Sequence, residues 1–229
     1  MVNQTHRYVS KHFVVSLVVL LAAWGIGCKT PAVVDQPASS FDVNVAVLDT
    51  IEAPSDGKVI AVMQFLQNGT AVQLASNVSA TCNGVALPYN GLVFGHAQRV
   101  PLLPAGGIYN FRYTRGGVNT DVLVPSPARP VFAAPTGAGA LLPRTAGFTI
   151  HYVPGNGASV RGDARDGTNS RENTQADNGS VTGLDVSGFI AGPGTLFITR
   201  TLQSPIPGTG FHSATNKSST GKTINITWQ

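Results

Sequence analysis

Apolar and polar positions alternate strictly along "FDVNVAVLD" (41–49), which puts Phe41, Val43, Val45 and Val47 on one face, the period-two mark of a half-buried strand. "KVIAVMQFL" (58–66) is more continuously apolar and reads as a central strand. Asn68-Gly69 then predicts a tight hairpin into "TAVQLA", because that turn demands positive φ, which Asn and Gly adopt most easily. Asn83-Gly84 predicts the same before "VALP". The clearest hairpin lies within 103–125, where "IYNFRYT" and "VNTDVLV" flank Arg115-Gly116-Gly117. Farther on, "GFTIHYVP" (147–154) turns Phe148, Ile150 and Tyr152 inward, and "GTLFITRTL" (194–202) and "GKTINITWQ" (221–229) are strong strands. After residue 28 no stretch carries helical spacing over more than about one turn, so the mature chain is expected to be nearly helix-free.

Composition agrees with many short strands joined by turns. The 26 Gly and 15 Pro punctuate the whole chain of 229 residues, and charged residues make up 11%, against roughly 25% in ordinary globular proteins. "PSPARPVFAAP" (125–135) is too rich in proline, which lacks an amide donor, to be a central strand. Residues 126–135 are therefore expected to link two β-sandwiches, 41–125 and 136–229, each near the usual size for that architecture.

Gly107-Ile108-Tyr109-Asn110-Phe111 resembles the tyrosine corner of immunoglobulin-like sandwiches. Tyr109 enters the penultimate strand, and Phe111 stands where antibody domains carry a cysteine. The resemblance implies an all-β fold of two tandem immunoglobulin-like β-sandwiches after an N-terminal signal or anchor segment. The second half repeats the late arrangement of a Gly, a strand and a closing strand, but without a residue-level repeat, so separate ancestry stays open.

The formal charge of +4 includes Arg7 and Lys11 at the N-terminus; without them the remainder carries +2, which gives no electrostatic case for nucleic acid, a partner that requires clustered Lys and Arg on one face. Those two cations precede the uncharged run "FVVSLVVLLAAWGIG" (13–27), which is the tripartite pattern of a secretory signal peptide and is short for a spanning helix. "GIGCK" around Cys28 resembles the lipobox of bacterial lipoproteins, with Gly27 before the cysteine and Gly25 standing where Leu is usual. The resemblance implies cleavage of residues 1–27, acylation of Cys28, and a membrane partner reached through that lipid. Lys29 is not the Asp that retains some lipoproteins at an inner membrane, so an outer membrane is expected if the host has one. Residues 28–40 read as a tether, rich in Pro, Ala and Ser without alternation. Cleavage at another small residue, an uncleaved leader, and a disulfide from Cys28 to Cys82, which export permits, stay open.

Candidate chemistry is sparse. "NKSSTGKT" (216–223) has the second half of a phosphate-binding loop, but Asn216 replaces the first Gly and a strand follows where a helix must open, so a polar hairpin loop is expected. Arg161-Gly162-Asp163 is the tripeptide integrins read, a match short enough to recur by chance. The polar segment 159–180 reads as an exposed mobile loop, with Asp163, Asp166, Glu172 and Asp177, together with Asn178, as candidate calcium ligands, although their spacing follows no known calcium loop. No nucleophile elbow, zinc-protease motif or paired cysteine motif occurs, and the mature histidines are His96, His151 and His212.

These features point to a lipid-anchored cell-envelope protein with a non-catalytic binding or structural role, needing no cofactor and meeting glycan or protein at the cell surface. A carbohydrate-binding or adhesion module is the alternative, and it requires Tyr89, Phe94, Tyr152 or Trp228 to share a flat exposed surface. A hydrolase would require a pocket in which His151 or His212 meets a carboxylate and a hydroxyl.

Overall fold

The computed structural model describes residues 31–49, 57–104, 106–126 and 128–229. The signal segment and Cys28 lie outside the described residues. Among the described residues there is no α-helix, and one 3-10 turn spans Ala38–Ser40.

The first sandwich is built from β1 (Ala32–Val34), β2 (Asp42–Leu48), β3 (Lys58–Gln67), β4 (Thr70–Leu74), β5 (Val78–Cys82), β6 (Val85–Ala86), β7 (Tyr89–Asn90), β8 (Gly95–Pro101), β9 (Ile108–Arg115) and β10 (Val118–Pro125). One sheet runs β2-β3-β8-β7, with β4 pairing the far end of β3 and β1 lying parallel to β4. The facing sheet runs β10-β9-β5-β6. Read in chain order, this is the immunoglobulin-like partition of strands A, B, E and D against G, F, C and C′. Both Asn-Gly pairs make the expected turns: Asn68 and Gly69 have φ of 51° and 75°, and Asn83 and Gly84 have 49° and 79°.

The second sandwich comprises β11 (Phe132–Ala134), β12 (Ala140–Leu142), β13 (Phe148–Tyr152), β14 (Ser159–Arg165), β15 (Ser170–Gln175), β16 (Ser180–Leu184), β17 (Gly192–Thr201), β18 (Ser204–Pro205), β19 (Ser213–Asn216) and β20 (Ser219–Trp228). Strands β11-β13-β16 form one sheet, and β12-β20-β17-β14-β15 form the other. The order again matches A, B, E against C′, C, F, G. Each pair of sheets encloses its own apolar core, the first around Phe41, Phe65 and Phe111, the second around Ile150, Leu196 and Trp228. The protein is all-β, with two tandem immunoglobulin-like sandwiches.

Several local expectations need correction. The tether at 28–40 does not extend through its described part: β1 pairs with β4 in parallel register, and Asp35 is ion-paired to Arg115. Hydrophobic alternation is too short across three residues to announce such a strand. The linker 126–135 contains β11, whose Phe132 packs in the second core. The segment 159–180 is no mobile loop: it is the β14–β15 hairpin in full register from Val160↔Gln175 to Arg165↔Ser170, followed by the start of β16. Many of its polar side chains, Asp163 and Glu172 among them, sit at strand positions, which composition alone reads as a loop.

The largest difference from a simple tandem lies between β17 and β20. Their connection, residues 202–218, is far longer than the roughly two to five residues of an ordinary hairpin loop. It leaves the second sandwich and adds β19 to the first, in parallel pairing with β2 from Ser213↔Asp42 to Asn216↔Val45. One bridge, Leu48↔Ser219, then joins β2 to β20. A single sheet therefore runs through both sandwiches, and the 41–125 and 136–229 partition does not anticipate this crossing.

Candidate functional site at the junction of the sandwiches

Strand β2 is the outer strand of its sheet, and an uncovered strand of this kind carries unpaired backbone groups. The 202–218 connection and the first residue of β20 satisfy them. Outside the ladder, the amide of His212 donates to Phe41 O at 2.9 Å, that of Lys217 to Val45 O at 2.8 Å, and that of Asp49 to Ser219 O at 3.0 Å. Ser218 is fully buried; its hydroxyl accepts from the Val47 amide at 3.0 Å and donates to Asn216 Oδ1 at 2.6 Å. This corrects the expected polar hairpin loop at 216–223, which instead ends β19 and begins β20, with Asn216 and residues 218–221 buried.

Apolar packing accompanies the ladder. Phe211 is buried in the first core, with its ring centroid 6.2 Å from that of Phe65 and 6.0 Å from that of Tyr113. Ala214 is buried beside it and Ile206 packs against the same cluster. Gly210 brings the loop to β10, since a Cβ there would meet Thr120 Cγ2 at 3.3 Å, and Gly210 has φ of 78°. The connection thus closes the gap between the sheets at β2 and β10. On the other side of the junction, Arg129 is ion-paired to the buried Asp49, and Thr220 Oγ1 donates to Ala128 O at 3.1 Å.

A histidine, a carboxylate and a hydroxyl meet here. His212 Nδ1 lies 2.8 Å from Asp42 Oδ1, and Ser213 Oγ donates to the same oxygen at 2.6 Å. The Ser213 and His212 hydrogen bonds hold the Asp42 carboxyl below its ordinary pKa. A nucleophilic triad needs the hydroxyl to donate to the imidazole, whose other ring N–H is in turn hydrogen-bonded to the carboxylate. In this cluster both donors converge on the carboxylate, so the arrangement pins the start of β19 to the start of β2, and the hydroxyl is directed to Asp42 and not to the imidazole.

The other histidines serve elsewhere. His96 is buried, its Nε2 accepts from the Leu74 amide at 3.3 Å, and its Nδ1 therefore donates to Leu87 O at 3.0 Å. Burial pushes its pKa down, against the opposing pull of the Leu87 carbonyl. His151 is exposed on β13.

The structure does not bring the candidate calcium ligands together. Asp163 is buried and bound by Arg165, Ser170 and Arg161. Partial burial opposes ionisation of Asp166, yet amide hydrogen bonds from Asn169, Ile190 and Thr168 outweigh it and hold the carboxyl well below the usual range. Glu172 pairs with Arg161, Asp177 with Arg200, and Asn178 Oδ1 accepts from the Ser180 amide. Among the described residues no three His, Cys, Asp or Glu side chains gather as metal ligands. Arg161-Gly162-Asp163 lies within β14, where a Cβ on Gly162 would meet Val181 at 3.0 Å, so the tripeptide is not displayed on a loop.

The aromatic surface is likewise not formed. Tyr152 and Trp228 are buried in the second core, whereas Tyr89 and Phe94 are half-buried on the first sandwich. Cys82 has a free thiol in the first core, its pKa pushed up to about 12 by burial. The proposed acylation point Cys28 lies outside the described residues. The residues that sequence reasoning missed are Phe211, Asp42 and Ser213. The length of the connection and the lone aromatic in "IPGTGFHSATN" were the available signals.

No protein-family model matches this chain, and none of the curated proteins does. Among solved structures it is similar to the FN1–FN3 domains of chicken CNTN1, at 13% identity over 82% of this chain and 67% of that one, with a TM-score of 0.22. It is also similar to the BSP domain of a biofilm-associated protein, at 15% identity, where the match covers 82% of this chain but 29% of that one and the TM-score is 0.24. Superpositions this loose carry no argument, and the immunoglobulin-like assignment rests on the strand order of the two sandwiches.

Proposed function

We propose that this chain is an exported, lipid-anchored cell-envelope protein whose two sandwiches form a non-catalytic binding or spacing unit at the cell surface. The observation that carries this reading is the shared sheet: β19 and β20 bind β2, so the second sandwich is held at a set attitude to the first. A spacer has to transmit position along its length, and two domains joined by proline-rich chain alone would pivot. The wiring of Asp42, His212 and Ser213 toward docking supports the non-catalytic part. The leader pattern and the lipobox resemblance at Cys28 support the anchor.

The intact mass of the protein recovered from its host's membranes tests the reading. A mass equal to residues 28–229 plus acyl chains is expected, and Cys28→Ala should abolish metabolic lipid labelling. Unchanged labelling in that variant, or an unacylated mass, would sink the anchor.

A further inference from the structure

The cleft between β2 and β10 has an occupant whose chemistry is fully specified. It takes a segment in parallel register with Asp42–Val45, an aromatic ring between the sheets against Phe65 and Tyr113, and a small side chain at Ala214. The segment that fills it, 204–217, belongs to the other sandwich and reaches the cleft as an excursion from a hairpin. Main-chain pairing to an open strand with one anchoring side chain is the mode by which sheets take up extended peptides. Its fit depends on the two surfaces and not on the covalent path between them. Exchange of an identical element between copies costs little once the element has been withdrawn, because the contacts regained equal those lost.

We propose that this cleft is a strand-acceptor site, filled in cis by residues 204–217, and that after withdrawal of its own segment it takes the same segment of a second copy of this chain. Phe211 is the anchor that selects the segment, and the Asp42 contacts with His212 and Ser213 set its register. The inference does not depend on lipid anchoring.

The test uses a fluorescein-labelled synthetic peptide of residues 204–215 and a full chain in which 205–215 are replaced by a short Gly-Ser turn. The peptide should bind the shortened chain with one-to-one stoichiometry and leave the intact chain unbound. A Phe211→Ala peptide should bind about tenfold to a hundredfold more weakly, the scale set by burying one aromatic ring. If the first sandwich of the shortened chain is unfolded, the peptide should restore its circular dichroism and its amide-exchange protection. Failure of millimolar peptide both to bind a folded shortened chain and to restore an unfolded one overturns the acceptor site. Exchange between copies is read separately, by warming the concentrated intact chain to its unfolding midpoint and cooling it. A dimer that is absent from the Phe211→Ala chain is expected, and monomer alone overturns the assignment of a second copy.

Discussion

Arg200 and Asp177 form a buried ion pair across the second sandwich, Nε to Oδ2 at 2.8 Å, with side chains 5% and 2% exposed. Further hydrogen bonds hold both partners. Asp177 also accepts from the Gly157 amide at 2.8 Å, and Arg200 donates from Nη2 to Val153 O at 2.7 Å. The β13–β14 connection folds directly over the guanidinium, since a Cβ at Gly155 or Gly157 would fall 2.6 Å from an Arg200 carbon. Removing one partner of such a pair strands the other charge away from water, at about 3–5 kcal/mol. Asp177→Ala should lower the stability of the second sandwich by that order in urea titrations. A loss below about 1 kcal/mol would place the pair with ordinary surface bridges.

The tyrosine corner is formed as the sequence implied. Tyr109 Oη accepts from the Leu103 amide at 2.8 Å and donates to Pro101 O at 3.3 Å, tying the start of β9 to the chain leaving β8. Tyr109→Phe keeps the ring and leaves the half-buried Leu103 amide without its acceptor, a loss of about 1 kcal/mol. Equilibrium denaturation should show the midpoint falling with the slope unchanged. An unaltered midpoint would mean that water replaces the hydroxyl.

His96 makes the first sandwich sensitive to mild acid. Its folded pKa is depressed below the ordinary value by burial, so between that folded pKa and about 6.5 the unfolded chain binds the extra proton. Stability therefore rises with pH through this window and is lost as pH falls below about 6.5. His96→Gln, which has no titrating ring, should flatten the dependence of melting temperature on pH between 5 and 7. Persistence of the full slope in that variant would assign it to another group.

Cys82 reports opening of the first core. Its thiol is fully buried and its pKa is pushed up to about 12, so at pH 8 almost none of it is the reactive thiolate. In the Cys28→Ala chain, a thiol reagent should leave Cys82 unmodified under native conditions and label it stoichiometrically in urea. Rapid native labelling would show that the core opens locally.

Strand identity, turn type and one side-chain motif were legible in the chain by themselves, because each is local. Alternation from Phe41 to Val47 defines β2, positive φ at Asn68-Gly69 and Asn83-Gly84 follows from residue type, and Tyr109 sits a few residues from the backbone it binds. Tertiary structure decided what lies far apart. His212 and Asp42 are brought together across most of the chain, and no periodicity in either segment encodes a parallel partner. The acids at 163, 166, 172 and 177 look like a calcium loop when only composition is read; placed on β14, on β15 and in the turns that follow them, they meet different cations and amides. The sequence by itself determined an all-β chain with two cores, since burial period and turn chemistry act over a few residues. Closure of the first core by a segment of the second sandwich was decided in three dimensions, where an open strand and a gap between sheets met a loop long enough to fill both.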